Sequence, residues 1–318
     1  MAPSISPKCL ILSDSNIYED FAAMPDLDPN QQTTESIRKQ SIEELFPDNL
    51  TDTSCVFIDY DREVWLATEM CAEYTESSVD QIVVLDKNNL VGTVGGYDLL
   101  AHVRKNPTRK FQYESKVGDV MFSPVPIIEK SMKFNDLMEK WKHSRRAFSI
   151  FRIGFDSNWF SISARKMLQV GMKVKTNFST LSIQKNKIVT FQMDDTFGKI
   201  LDLMFKNMTR KLLLENSNQF ISDRIILGEI SRIMKFEENV EDILDFPVSH
   251  TRLEYITSVS GDLKLNEICS IINKSDHPYL MCRDTVVTPW DICLILQSED
   301  LKIQQHQVGV CPSCGREI

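Results

Sequence analysis

The sequence has no apolar run of about 18 residues, the length a membrane-spanning helix requires. It also lacks the basic start and apolar middle of a secretory signal. Both absences predict a cytoplasmic protein with no membrane partner. A basic excess is missing too: 36 Lys and Arg face 45 Asp and Glu, a net charge of −9. Duplex-binding proteins carry the opposite footprint, so nucleic acid is not an expected partner. The five histidines, His102, His143, His250, His277 and His306, stand at no spacing that pairs them with a nucleophile or with metal ligands. There is no Walker loop, no G-x-G-x-x-G, no G-x-S-x-G and no H-E-x-x-H, which removes the familiar hydrolase, dehydrogenase and metalloprotease readings. Nothing predicts an enzyme. Eight cysteines are too few for a disulfide framework in 318 residues. Cys55, Cys71, Cys269, Cys282 and Cys293 lie within apolar-periodic segments, where a reduced thiol acts as a small hydrophobe.

What is present is ordinary in bulk and repetitive in detail. Apolar residues make up 42% and charged residues 25%, enough for a core that needs no staple. Residues 1–40, rich in Pro, Ser, Asp and Gln, read as a flexible arm. Beyond Ser41 one unit recurs four times, roughly every 60–70 residues. It consists of an extended run, an amphipathic helix, a hairpin of two short strands and a second helix. The first copy reads "CVFIDYD", "REVWLATEMCAEYTESS", "QIVVLD", "KNN" and "LVGTVGGYDLLAHV". The second has "PVPIIEK", "FNDLMEKWKHS", "RAFSIFRI" and "NWFSISARKMLQV"; the third "KIVTFQM", "FGKILDLMFKNM", "RKLLLEN" and "QFISDRIILGEISRIM"; the fourth "LEYITSV", "LNEICSIINKS", "PYLMCRD" and "TVVTPWDICLILQ". In the third copy Ile200, Leu203, Met204 and Met208 would share one helix face. Turn residues such as Lys87-Asn88-Asn89 and Asn216-Ser217-Asn218 separate the paired strands. One such unit cannot cover both faces of its small sheet, so four units imply two pairs. We expect a first pair at 41–172, a second at 173–300 and a tail at 301–318.

The unit resembles the CBS domain, named after cystathionine β-synthase, which occurs in tandem pairs called Bateman modules. "VGDVMFSPVPIIEKSMKFNDLMEKW" (Val117 to Trp141) and "QIVVLDKNNLVGTVGGYDLLAHV" (Gln81 to Val103) carry the resemblance. The third and fourth copies match by order and spacing more than by identity. The resemblance implies an α/β (α+β) fold in which four repeats form two tandem pairs packed as a flat disc. It also implies clefts between paired repeats that take adenosine-containing ligands such as AMP, ADP, ATP or S-adenosylmethionine.

In that family the Asp of T/S-x-x-D holds the ribose. The chemistry is sound, because a carboxylate accepts from two vicinal hydroxyls at once, and helix-start amides suit phosphates. The fourth copy supplies Thr288-Pro289-Trp290-Asp291, a full match. The first supplies Gly95-Gly96-Tyr97-Asp98, with the carboxylate but no hydroxyl. Ser163-Ala164-Arg165-Lys166 puts a cation in the slot, and Ser222-Asp223-Arg224-Ile225 puts an apolar residue there. Asp291 with Thr288, and Asp98 with Gly95, are therefore the nucleotide candidates. Thr288 and Asp291 equally form a capping-box variant with Pro289 at the favoured first helical position, and Asp98 suits the positive end of a helix dipole. Lys166 reads either as a solvated surface lysine or, beside Arg165, as a contact for an anionic ligand. Arg145, Arg146, Arg210, Lys211 and His277 precede hairpin strands, where phosphate contacts and a solvated rim are both open readings.

The chain ends "CPSCGREI". Cys311 and Cys314 have zinc-knuckle spacing, and structural zinc needs four ligands. A homodimer donating both thiolates from each copy would complete a site; an unmetallated tail is the other reading. The expected function is a non-catalytic regulatory module that binds an adenosine nucleotide and transmits this to an unidentified protein partner. The alternative is an interaction scaffold with degenerate clefts, joined as a zinc-linked dimer.

Overall fold

The computed structural model describes residues 36–73, 81–154, 158–174, 176, 179, 188–236 and 242–298. Residues 1–35 of the expected arm, and the tail with Cys311 and Cys314, lie outside the described residues. Residues 36–40, which the sequence places in the arm, belong to the folded body. They include a helical turn, Ile37–Lys39, whose Ile37 is fully buried.

A short lead-in helix, α1 (Ile42–Leu45), is closed by a capping box in which Ser41 and Glu44 satisfy each other's backbone amides. The first repeat is β1 (Phe57–Asp59), α2 (Val64–Glu73), β2 (Ile82–Asp86), β3 (Asn89–Val94) and α3 (Gly96–Lys105). β1 lies parallel to β2, and β2 lies antiparallel to β3. The expected tight turn is present: Lys87 and Asn88 both take positive φ, 48° and 69°, as a two-residue hairpin loop of the primed type requires.

α4 (Arg109–Glu114) and α5 (Val117–Val120) lead to the second repeat, which has α6 (Phe134–Ser144), β4 (Phe148–Arg152), β5 (Trp159–Ser163) and α7 (Leu168–Met172). Its opening run forms no strand, only a parallel bridge from Ile127 to Ile150. Pro124 and Pro126 have no amide to donate to a ladder, which accounts for the departure from expectation.

The third repeat comprises β6 (Thr190–Phe191), α8 (Phe197–Lys206), β7 (Lys211–Leu214), β8 (Gln219–Ser222) and α9 (Asp223–Phe236). Ile200 and Met204 are buried as the spacing predicts. Met208 lies past the end of α8 and is 75% exposed. The run expected to open the fourth repeat is divided. β9 (Glu254–Tyr255) joins the third repeat's sheet beside β8, and β10 (Thr257–Val259) pairs with the fourth repeat's own strand. α10 (Leu265–Lys274), β11 (Leu280–Cys282), β12 (Thr285–Val287) and α11 (Pro289–Ser298) complete the series.

Sheets join repeats within a pair, and helices join the pairs. Val83 of the first repeat packs on Phe148 and Ile150 of the second. Leu213 and Phe220 of the third pack with Val286 of the fourth. One large core runs between repeats one and three, from Val64, Ala67, Leu99 and Leu100 to Phe197, Ile200, Ile226 and Leu227. The other joins repeats two and four, and includes Trp141, Phe134, Ile268 and Ile292. Burying each of these Val, Leu, Ile and Phe side chains contributes about 1.5–3 kcal/mol. Every repeat thus touches two others, closing the disc that the resemblance implies. Two glycines let the helices approach across it. A Cβ on Gly96 would stand 3.1 Å from both Asp223 Oδ2 and Leu227 Cδ1, and one on Gly171 only 2.4 Å from Cys269 Sγ.

The five described cysteines are free thiols. No described helix is long and apolar enough to cross a membrane.

Candidate functional site

The two carboxylates singled out by the sequence stand at matching places. Each is the third residue of the helix that leaves its repeat's hairpin, α3 for Asp98 and α11 for Asp291. Each accepts from the backbone at the helix start: Gly95 N donates to Asp98 Oδ2 at 3.0 Å, and Thr288 N donates to Asp291 Oδ2 at 2.8 Å. The capping role foreseen for Asp291 is real, and Asp98, foreseen only as suited to the helix dipole, caps its helix as well. α11 begins at Pro289, as the capping pattern requires.

Beyond the cap the two differ. Asp98 is gripped from the second repeat. Arg146 Nη1 donates to Asp98 Oδ2 at 2.8 Å, and Nη2 donates to Oδ1. The two side chains are 16% and 12% exposed. The guanidinium also stacks on Phe122, 3.9 Å from the ring centroid. This is a bidentate, charge-assisted pair, the stronger kind of hydrogen bond. A basic residue that the sequence left between rim and phosphate contact instead bridges the two repeats.

Asp291 is 5% exposed. Thr288 Oγ1 donates to its Oδ2 at 2.7 Å, and the Asp291 amide reaches Thr288 Oγ1 at 3.4 Å. Lys211, the first residue of β7, is near enough for the Asp291 charge to act on it. Its half-buried ammonium lies 4.8 Å from the Tyr279 ring centroid. Among the described residues no carboxylate is in ion-pairing contact with it. Burial pushes the Lys211 amine down to about 8; Asp291 and Asp223 oppose that, and Arg210 adds to it. His277 sits beside it in the aromatic layer, edge-on to Phe220 at 5.2 Å. Burial lowers its pKa, and Arg224 and Arg165 act in the same direction.

The hairpin registers explain the difference. Phe148 lies opposite Ser163 in the second repeat, and Lys211 lies opposite Ser222 in the third. The Ala164 amide donates to the Ala147 carbonyl in one, and the Asp223 amide to the Arg210 carbonyl in the other. Arg146 therefore corresponds to Thr209, and the Ala147–Ala164 couple corresponds to Arg210–Asp223. In the third repeat Arg210 Nε bonds Asp223 at 2.6 Å, with Asp223 1% exposed. Arg210 thus pairs with an acid of its own repeat, and Thr209 offers no cation at the place that Arg146 holds. Asp223 was not singled out from sequence; the available signal was an acid placed to face a basic residue across a hairpin.

The remaining candidates occupy other surroundings. Lys166 precedes α7 and is 5% exposed, which corrects its reading as a solvated surface lysine. Its Nζ donates to the carbonyls of Asn49 at 2.7 Å and Leu50 at 3.2 Å. Arg165 donates to the Ser275 carbonyl at 2.6 Å, at the end of α10. Ile225, in the carboxylate slot of the third repeat, packs on the neighbouring apolar clusters. No group of three or more His, Cys, Asp or Glu able to hold a metal occurs among the described residues.

No protein-family model matches the chain, and no curated protein matches it. Solved structures do. Protein MJ1225 from Methanocaldococcus jannaschii, described as a candidate archaeal homologue of γ-AMPK, aligns over 77% of this chain and 96% of its own, with a TM-score of 0.64 at 12% identity. An uncharacterised conserved protein of Pyrococcus horikoshii aligns over 70% of this chain and 92% of its own, at TM-score 0.45 and 8% identity. The CBS-domain containing protein ATU1752 of Agrobacterium tumefaciens aligns over 46% of this chain and 98% of its own, at TM-score 0.35 and 16% identity. At 12% identity the first match establishes a shared fold.

Proposed function

We propose that this chain, which has the fold of CBS-domain proteins with four repeats in two pairs, is a non-catalytic regulatory module that takes an adenosine-containing nucleotide in the cleft of its second pair. The observation that carries this reading is the half-buried lysine whose charge interacts with Asp291. Asp291 and Lys211 face one cleft from the fourth and third repeats, and Lys211 keeps its ammonium out of any described ion pair. A carboxylate with a neighbouring hydroxyl suits a ribose diol, and a poorly solvated ammonium suits a phosphate. Arg146 already fills both oxygens of Asp98, and Lys166 is committed to backbone carbonyls, so neither is assigned a ligand. Binding regulates a partner only through unequal affinity for two conformations of the module.

A scaffold with degenerate clefts is the second reading, favoured by the internally satisfied first pair. A thermal-shift panel of AMP, ADP, ATP and S-adenosylmethionine separates the two. A ligand at 100 times its dissociation constant adds about 2.7 kcal/mol of stability. We expect that gain in the wild type and its loss in Asp291→Ala and in Lys211→Met. A wild type unmoved by all four ligands would overturn the nucleotide reading in favour of the scaffold.

A further inference from the structure

In the second repeat the residue at the position of Asp98 and Asp291 is engaged by the chain's own lead-in. Lys166 occupies the slot that holds a carboxylate in the first and fourth repeats. Its ammonium meets the loop between α1 and β1, at the carbonyls of Asn49 and Leu50. The Phe46 ring lies 5.6 Å from the same ammonium, and Phe46 and Leu50 are 1% and 8% exposed. The loop has two further anchors on the second repeat. Asn49 Nδ2 donates to Gln169 Oε1 at 2.6 Å. Thr53 and Cys55 pair with β5, through Ser161 N to Thr53 O and Cys55 N to Trp159 O, both 2.9 Å.

Comparing the two lead-ins shows where this material comes from. α1 and α5 are equivalent four-residue helices, each closed by an acid at its third position, with C-caps at Phe46 and Met121. The first repeat's parallel strand begins at Phe57, eleven residues after its C-cap, whereas the second repeat's parallel bridge falls at Ile127, six residues after. The first lead-in is five residues longer, and the longer loop is the one seated on Lys166. A buried ammonium needs acceptors, and the loop's carbonyls supply them.

We propose that residues 46–53 are a built-in occupant of the second repeat's cleft, anchored by Lys166, so that the first pair closes this cleft with its own chain and leaves ligand binding to the second pair. The part that concerns ligand capacity rests on the nucleotide reading above; the occupancy itself does not.

Hydrogen–deuterium exchange on the full chain tests the occupancy without any ligand. In the wild type, residues 46–53 exchange slowly for a loop. Lys166→Met, which keeps the apolar stem, raises their exchange at least tenfold and leaves α2, β2 and α9 protected, while Lys166→Arg stays within twofold of the wild type. Equal exchange in Lys166→Met and wild type overturns the proposal. If Lys166→Met loses protection everywhere, Gln169→Ala replaces it, and a loop unchanged in that variant overturns the proposal too. Calorimetric titration with ADP addresses capacity. The Lys166→Met protein keeps the wild-type stoichiometry if the loop fills the cleft; loss of one site per chain shows that Lys166 holds ligand and overturns the proposal. No ADP uptake by the wild type counts against the nucleotide reading, and the exchange result then decides the occupancy alone.

Discussion

In the first pair of repeats Asp98 is gripped by an arginine of the facing repeat, and in the second Asp291 acts through its charge on a half-buried lysine of the facing repeat. Asp98 and Asp291 start corresponding helices and cap them in the same way. Their surroundings diverge because of residues on the partner repeat. Arg146 reaches Asp98 from one position, and at its counterpart the third repeat carries Thr209. Meanwhile Arg210 is drawn to Asp223, where the second repeat has alanines at both places. One repeat architecture therefore yields a latched pair and a pair with a cation in reserve. The lesson is that carboxylates at one position of the repeat meet different neighbours, according to whether the facing repeat supplies an arginine at the right register.

The largest test of this contrast is Asp98→Ala. Removing one partner of a largely buried ion pair leaves Arg146 uncompensated, a loss of about 3 kcal/mol or more, readable as a lower midpoint in urea. A loss below 1 kcal/mol would mean that the latch is not structural. Lys211→Met comes next and has the opposite sign at neutral pH. The folded state holds the Lys211 proton less tightly than the unfolded chain, with a pKa of about 8 against an ordinary 10.5. The unfolded state therefore binds more protons between those values, and wild-type stability rises with pH across that window. Below pH 8 the full penalty applies, so the methionine variant should be more stable there by on the order of 1–2 kcal/mol. Denaturation at pH 7 and pH 10 should show the variant's advantage shrinking; an advantage independent of pH would place its cause elsewhere. The same titration predicts that anionic ligands bind the second cleft less tightly as pH climbs through 8. Smallest is Asp291→Ala without ligand, which removes a helix cap worth about 1 kcal/mol. A cost equal to that of Asp98→Ala would erase the distinction between the pairs.

Much of this was legible from local pattern. The hairpin at Lys87 and Asn88, the amphipathic helix around Ile200 and the cap at Thr288 each depend on residues within a few positions, so spacing and turn chemistry reveal them. The second repeat's missing strand was equally local, and the prolines that prevent it were in view. The charge pairs were not. Asp98 and Arg146 are 48 positions apart, and Lys166 is 117 positions from Asn49. No periodicity connects such residues, and aligning repeats matches equivalent positions rather than positions in contact. Met208 fell outside the expected face because α8 ends at Lys206.

The sequence by itself determined the repeat unit, the order of its elements and the two carboxylates at helix starts, because propensity, periodicity and capping act over a single turn or hairpin. Only the tertiary structure decided that helices join repeat one to three and two to four, that Arg146 holds Asp98, and that an extended lead-in sits on Lys166. Those outcomes follow from burial. Once four small sheets must cover one another, each charge brought inside meets only what the surrounding chain places within reach.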